Sequence, residues 1–536
     1  MKVRSVPAAA LAAVGILAIA SCGSTSDLGS DSSGDYAEDG TFTTIVNTDP
    51  GNLHPLITNL ISTQTINTYT NDSLLAIDSK SRAIGPYLAE KWTDEGTTLT
   101  FTLKKGITCE DSSTFTAQTA ADNINWVADP KNGSPWLGAL VPETTVASAE
   151  GDVLTVTTAE PAPFLLESIG AVKLACKAAL DNPASVQNSS NGTGLFKITE
   201  VVANDHVTLE RRDGYNWGPN GETTSDTLGV PKTVTIKIVT DPSTTANLVL
   251  TGSVNAAPVG GPDLQRAEST GLKSMTYTTM SGQFIFNHNA ALPTKDEAVR
   301  SALVQAIDLD DYTKINTGEK GFRATALAVV DPRACDYDSV TGVLPKFDMA
   351  AAKKTLSDAG WRPGPDGILA KDGQPLNLNV IFNNTRDTTS AAAEYALTQW
   401  EELGAKVELR GGDNSFIMSN SFSAKDLASW SVTIGLTIQG DTPSMFVPYL
   451  SGLIPPEGLN FASIDNAKYT ELAAKASVLP GQESCAVWKE AEQAFFAESD
   501  IIPVSESPNY MFFNGAESLY TPSGGILIGP GVRVLK

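Results

Sequence analysis

The sequence predicts an α/β protein of two or three lobes, and three observations carry that expectation. The chain has 536 residues, too many for one hydrophobic core, because single cores stop growing at about 250–300 residues. Its first half reads as short alternating strands with some helix, and its second half sets amphipathic helices between strands. Near 376–409, a strand, a helix and another strand follow within about 35 residues, the pattern of a right-handed crossover.

From the N-terminus, a basic start (Lys2, Arg4) and a short apolar run lead to Ile19-Ala20-Ser21-Cys22. This is the layout of a secretory leader. A cysteine at the cut resembles the bacterial lipobox, in which the thiol takes a diacylglycerol group and becomes the new N-terminus. Residues 1–21 are then removed, and Cys22 anchors the protein to a membrane face without spanning it. Residues 22–40 are rich in Gly, Ser and Asp with no basic residue, a flexible acidic tether with a reach of about 20–25 Å.

The body begins with a strand over Thr41–Val46. Leu99–Leu103 alternates strictly, 153–156 and 195–198 are further short strands, 207–211 continues the β pattern, and 234–239 is another alternating strand. Asp296 caps a helix with Val299, Ala302, Leu303, Ala306 and Ile307 on one face. Asp348 caps another, which Gly360 stops. Leu376, Leu378, Val380 and Phe382 form a strand, Ala391–Leu403 a helix ended by Gly404, and Val407 and Leu409 the next strand. A helix around Trp488, Ala491 and Phe495 precedes separate last strands near Ile501 and Tyr510.

The net charge is −24, which argues against nucleic acid and against anionic lipid as partners. No later run reaches the 18 or so apolar residues that cross a bilayer. Beyond the leader stand Cys109, Cys176, Cys335 and Cys485. They form no CxxC pair and have no histidine at ligand spacing, so no metal site is expected. An even number in an exported protein favours disulfides, with three pairings open.

A catalytic constellation is missing. His54, His206 and His288 stand far apart. His206 reads as a surface residue, and His54 and His288 fall in segments expected near a cleft, in hydrogen-bonding roles. Gly192-Thr193-Gly194 precedes a strand, whereas a phosphate loop opens a helix, so it reads as a turn permitted by glycine. The expectation is a protein that is not an enzyme and has no cofactor.

Four blocks then resemble one family. They are Phe101-Thr-Leu-Lys-Lys-Gly-Ile-Thr-Cys-Glu-Asp with Thr114-Phe-Thr-Ala; Gly192-Thr-Gly-Leu-Phe-Lys-Ile with Leu209-Glu-Arg-Arg-Asp-Gly-Tyr-Asn-Trp-Gly; Phe286-Asn287 with Asp296-Glu-Ala-Val-Arg-Ser-Ala-Leu-Val-Gln-Ala-Ile-Asp308; and Phe347-Asp348 through Trp361. In order and content they are similar to the family 5 extracellular solute-binding proteins, the dipeptide and oligopeptide receptors of ATP-driven (ABC) importers. The resemblance implies a type II periplasmic-binding-protein fold, with two α/β lobes on a hinge and an extra domain inserted in the first. Residues 41–75, 190–280 and 503–536 would form lobe I, 76–189 the inserted domain and 281–502 lobe II. Cys109 would then pair with Cys176 and Cys335 with Cys485, each pair within one unit.

The family's cleft segments point to Ser281, Gly282, Asn287, Trp430, Thr437, Gln439, Asp441 and Asn460 as ligand contacts. Two departures bear on specificity. Asn255 stands where the family often carries an acid. The segment Gly435–Pro443 lacks the usual tryptophan, and its carboxylate, Asp441, is displaced. The implied function is a lipid-anchored, monomeric receptor on the extracytoplasmic face that captures peptides or similar solutes for ABC permease subunits. Alternatives on this fold are a receptor for a nickel chelate, haem or an oligosaccharide, and a non-transporting regulator of envelope biosynthesis.

Overall fold

Two long antiparallel strands organise the molecule. In the computed structural model, which describes residues 36–536 except 423 and 522–523, Lys273–Phe286 pairs with Ile501–Phe513 from Lys273 opposite Phe513 to Ile285 opposite Ile501. The leader, Cys22 and all but the last residues of the expected tether lie outside the described residues. Ile501–Phe513 is buried at both ends and half-buried over 507–510. The sequence suggested two strands here, because Ser505-Glu506-Ser507-Pro508-Asn509 reads as a loop. It stays extended because it pairs with the equally polar Thr276–Met280 where both strands cross between separate cores.

On one side of that crossing lie two four-stranded sheets. The first runs Thr41–Val46, Thr233–Ile238, His206–Arg211, Phe196–Val202, and the second Ala89–Asp94, Thr98–Leu103, Val153–Thr157, Val146–Glu150. Helix Ala117–Ala128 covers the second sheet, its start capped by the Thr116 hydroxyl. Phe42, Leu99, Phe101, Ile124 and Val234 belong to one continuous core, which Met511 and Phe513 join. The two sheets therefore form one body.

On the other side, the crossing strands continue into Val432–Ile434, Asn377–Asn383 and Lys406–Gly412. The last two are parallel and joined by helix Asp387–Leu403, the crossover that the apolar pattern predicts. Gly404 ends that helix at φ 106°, a left-handed cap. The Asp296 and Asp348 side chains accept from the amides of Ala298 and Ala351, so both are N-caps. Phe284, Leu303 and Trp400 fill one core of this second body. Trp430, Phe461, Trp488 and Phe495 fill another.

Each body carries one disulfide, Cys109–Cys176 in the first and Cys335–Cys485 in the second, closing loops of 67 and 150 residues. Gly192 and Gly194 need correction. Neither has a positive φ. A Cβ at Gly192 would lie 2.1 Å from the Thr70 carbonyl oxygen, and one at Gly194 would lie 2.5 Å from that of Tyr69. Close approach of two backbones, not turn geometry, requires glycine there.

Candidate functional site

The crossing strands floor a cleft of about 840 Å³ between the two bodies. Tyr277, Thr279 and Asn509 line it. Tyr277 and Thr279 are two residues apart, on one face of their strand, and Asn509 sits opposite Tyr277 in the register. The first body supplies Arg82, Tyr87, Lys173 and Tyr520, and the second supplies Asp331, Thr437, Gln439 and Asp441.

The first wall carries two cations, Lys173 and Arg82, and one acid, Asp78. Lys173 follows helix Leu165–Ala171, and its ammonium lies 5.7 Å from the centre of the Tyr87 ring. Behind it, the Tyr87 hydroxyl donates to Asp72 at 2.5 Å. Asp72 also accepts from Thr193 (3.0 Å) and the Trp217 indole (3.0 Å), so the buried carboxylate is well satisfied. Burial pushes the Lys173 ammonium down from its ordinary value, and Asp72 pulls the other way. Arg82 sits in a tight turn held by Asp78, whose carboxylate accepts from the Ser81 hydroxyl and amide, each at 2.7 Å. Those bonds keep the Asp78 carboxyl below its usual range. The Arg82 guanidinium crosses the cleft to the Pro332 carbonyl at 3.2 Å.

The second wall is acidic. Gln283 of the crossing strand holds it from behind: its amide donates to the Ile438 carbonyl at 3.1 Å and accepts from the Ile438 amide at 2.8 Å. This clamp leaves Thr437, Gln439 and Asp441 at the cleft. Asp441 is open to solvent, yet the protein crowded around it raises its carboxyl above the usual range, with Arg82 opposing. Opposite charges therefore face each other across the gap.

Five other residues expected at the wall lie elsewhere. Ser281 and Gly282 form a buried knot at the bulge in the crossing strands. The Ser281 hydroxyl donates to the Ser505 carbonyl at 3.1 Å, and a Cβ on Gly282 would meet the Ser505 hydroxyl at 2.5 Å. Asn287 is buried, its amide donating to the carbonyls of Leu427 (2.6 Å) and Trp430 (2.8 Å). Trp430 is fully buried and stacks near Phe461 at 5.7 Å, and Asn460 bonds Ile464 in both directions. The Asn287 and Asn460 amides, the Ser281 hydroxyl and the Trp430 ring are used in holding the second body together. His54 is buried and His288 partly buried, both outside the cleft lining. Burial pushes His54 down to about 4, and burial with the nearby Arg300 guanidinium takes His288 to about 3, so both are neutral near pH 7.

The sequence reading missed Arg82, Tyr87, Lys173, Tyr277 and Tyr520. Only Tyr277 carried a signal, as part of a polar run inside a strand. The others sit on loops and strand ends whose placement depends on tertiary packing.

A cleft at a hinge between two α/β bodies is a binding geometry. The family model described as bacterial extracellular solute-binding proteins, family 5 Middle, matches residues 83–453. The chain belongs to that family. Family 5 members are transport receptors, not enzymes, and act outside the cytoplasm. The nickel-binding periplasmic protein of Escherichia coli (strain K12) is 27% identical over 352 residues, which cover 62% of this chain and 64% of that relative. The crystal structure of NikA from Brucella suis in complex with Fe(III)-EDTA superposes with a TM-score of 0.76 at 21% identity, covering 92% of this chain and all of the other. The dipeptide-binding protein from Pseudoalteromonas sp. SM9913 in complex with Met-Leu gives 0.74 at 17%, covering 92% and 100%. Both structural matches confirm the type II fold for this family 5 chain. Among the described residues no helix is long and apolar enough to cross a membrane, and no group of three His, Cys, Asp or Glu side chains is placed to hold a metal.

Proposed function

We propose that this family 5 protein is an exported receptor, held by acylated Cys22 at the outer face of the cell membrane, that delivers a short peptide or similar zwitterion to the permease subunits of an ABC importer. The facing charges of the cleft carry this reading. Lys173 and Arg82 suit a ligand carboxylate, and Asp441 and Asp331 suit its ammonium. Thr437 and Gln439 offer hydrogen bonds to a peptide backbone laid along the wall. The receptor works as a monomer, without catalysis or cofactor, and its lobes divide at the boundaries given above. Closure about the crossing strands removes the ligand from water.

A thermal-shift panel of di- and tripeptides tests this. A cognate peptide at 100 times its dissociation constant stabilises the fold by about 2.7 kcal/mol, and a panel without any shift contradicts the peptide reading. A metal chelate is the second reading, favoured by the similarity to a nickel-binding relative. Among the described residues no cleft residue is a histidine or cysteine, so metal would arrive wrapped in an anionic chelator held by Lys173 and Arg82. A shift with nickel–EDTA and none with peptides would select it.

A further inference from the structure

Phe164 belongs to the first body by sequence and to the second by packing. Its neighbours Leu165 and Leu166 lie in the core of the first body. Phe164 itself is 2% exposed and clusters with Trp430, Phe461, Trp488 and Phe495 of the second. Its backbone is left-handed, φ 57° and ψ 28°, a strained conformation that bulky residues rarely adopt. Pro161 and Pro163 precede it and stiffen its presentation. Its carbonyl accepts from the Ser168 amide at 2.9 Å, opening the helix that ends at Ala171, and Ala171 and Lys173 line the ligand cleft. Beside it a gap of about 410 Å³ still separates Pro161 and Leu165 from Val478, Pro480 and Gln482. At this end of the seam, away from the Arg82–Pro332 bond, the Phe164 side chain crosses beside an unfilled gap.

We propose that Phe164 is a closure latch, a positioning residue that seats in the second body when the lobes close and is withdrawn into water when they open. The inference extends the receptor reading, since a latch matters only if the cleft opens and closes. Strain at φ 57° persists because the apolar socket outweighs it. The short helix couples the latch to Lys173, so seating Phe164 also sets the first wall against the ligand.

The test uses refolded, ligand-free protein with nitroxides at Glu95→Cys and Glu471→Cys, exposed positions on opposite bodies, and reads their distance distribution by pulsed electron resonance. Losing the burial of one phenylalanine lowers the closed-to-open ratio about 10- to 100-fold. Phe164→Ala should therefore deplete the short-distance population, and Phe164→Leu should keep most of it. Phe164→Asn separates latch from turn, because asparagine tolerates the left-handed backbone. It should open the cleft as far as Phe164→Ala does, without the added cost of a strained backbone. A wild type that is wholly open, or a Phe164→Asn distribution matching wild type, overturns the latch. The readout needs no ligand, so an error about peptide or chelate leaves it intact.

Discussion

The two bodies that flank the cleft solve the same packing problem with different chemistry. The first buries Asp72 beneath its wall as a carboxylate met by three side-chain donors at 3.0 Å or less, and offers cations to the gap. The second buries Glu492 under the hydroxyls of Ser339 (2.5 Å) and Tyr337 (2.8 Å), where burial pushes its carboxyl up to about 7, and offers acids. An importer's receptor must release what it grips. If the bodies close on a ligand as proposed, splitting the charges between them makes both sets available together only in the closed form.

The disulfides give the largest expected contrast. By the chain-entropy account, removing Cys335–Cys485 costs about 5 kcal/mol and removing Cys109–Cys176 about 4 kcal/mol. Calorimetry of the paired serine variants should show the second body as the more dependent, and equal losses would erase that distinction. Next, Asp72→Ala strands the Tyr87, Thr193 and Trp217 donors in the first body and should cost about 3 kcal/mol. A loss below about 1 kcal/mol, by urea titration, would mean that those donors find other partners.

Smaller effects separate the two walls. Lys173→Met should weaken binding of a cognate peptide roughly 10- to 100-fold. Asp441→Asn, on the more open wall, should weaken it less, about tenfold. Titration calorimetry reversing that order would place the main charge anchor on the second body. The last effect is a slope. Folded Glu492 holds its proton up to about pH 7, whereas the unfolded chain releases it near 4.3. Its contribution therefore falls as pH rises through that window. Melting curves from pH 4.5 to 7.5 should show Glu492→Gln losing part of the decline seen in wild type, and an unchanged slope would assign the decline elsewhere.

The fold was largely legible because periodicity and caps are local. Asp296, Asp348 and Gly404 act where the sequence put them, and the crossover follows from apolar spacing. The site was legible only in part. Thr437, Gln439 and Asp441 do reach the cleft, through a clamp on Gln283 that no local pattern announces. Asn287 and Trp430 misled for a physical reason: a buried amide and a buried indole look alike in sequence whether they face a ligand or a core. Lys173 and Arg82 were invisible because a lone cation on a loop carries no period. The polar middle of Ile501–Phe513 reads as a loop because nothing nearby reveals its equally polar partner strand.

The central claim is that a solute is held between the bodies, over the crossing strands. Native mass spectrometry of the protein as isolated, beside a Thr279→Trp variant whose indole fills the cleft, tests it most directly. One small molecule per chain in wild type, lost from the variant, is the predicted result; the same molecule retained equally by both would contradict the account.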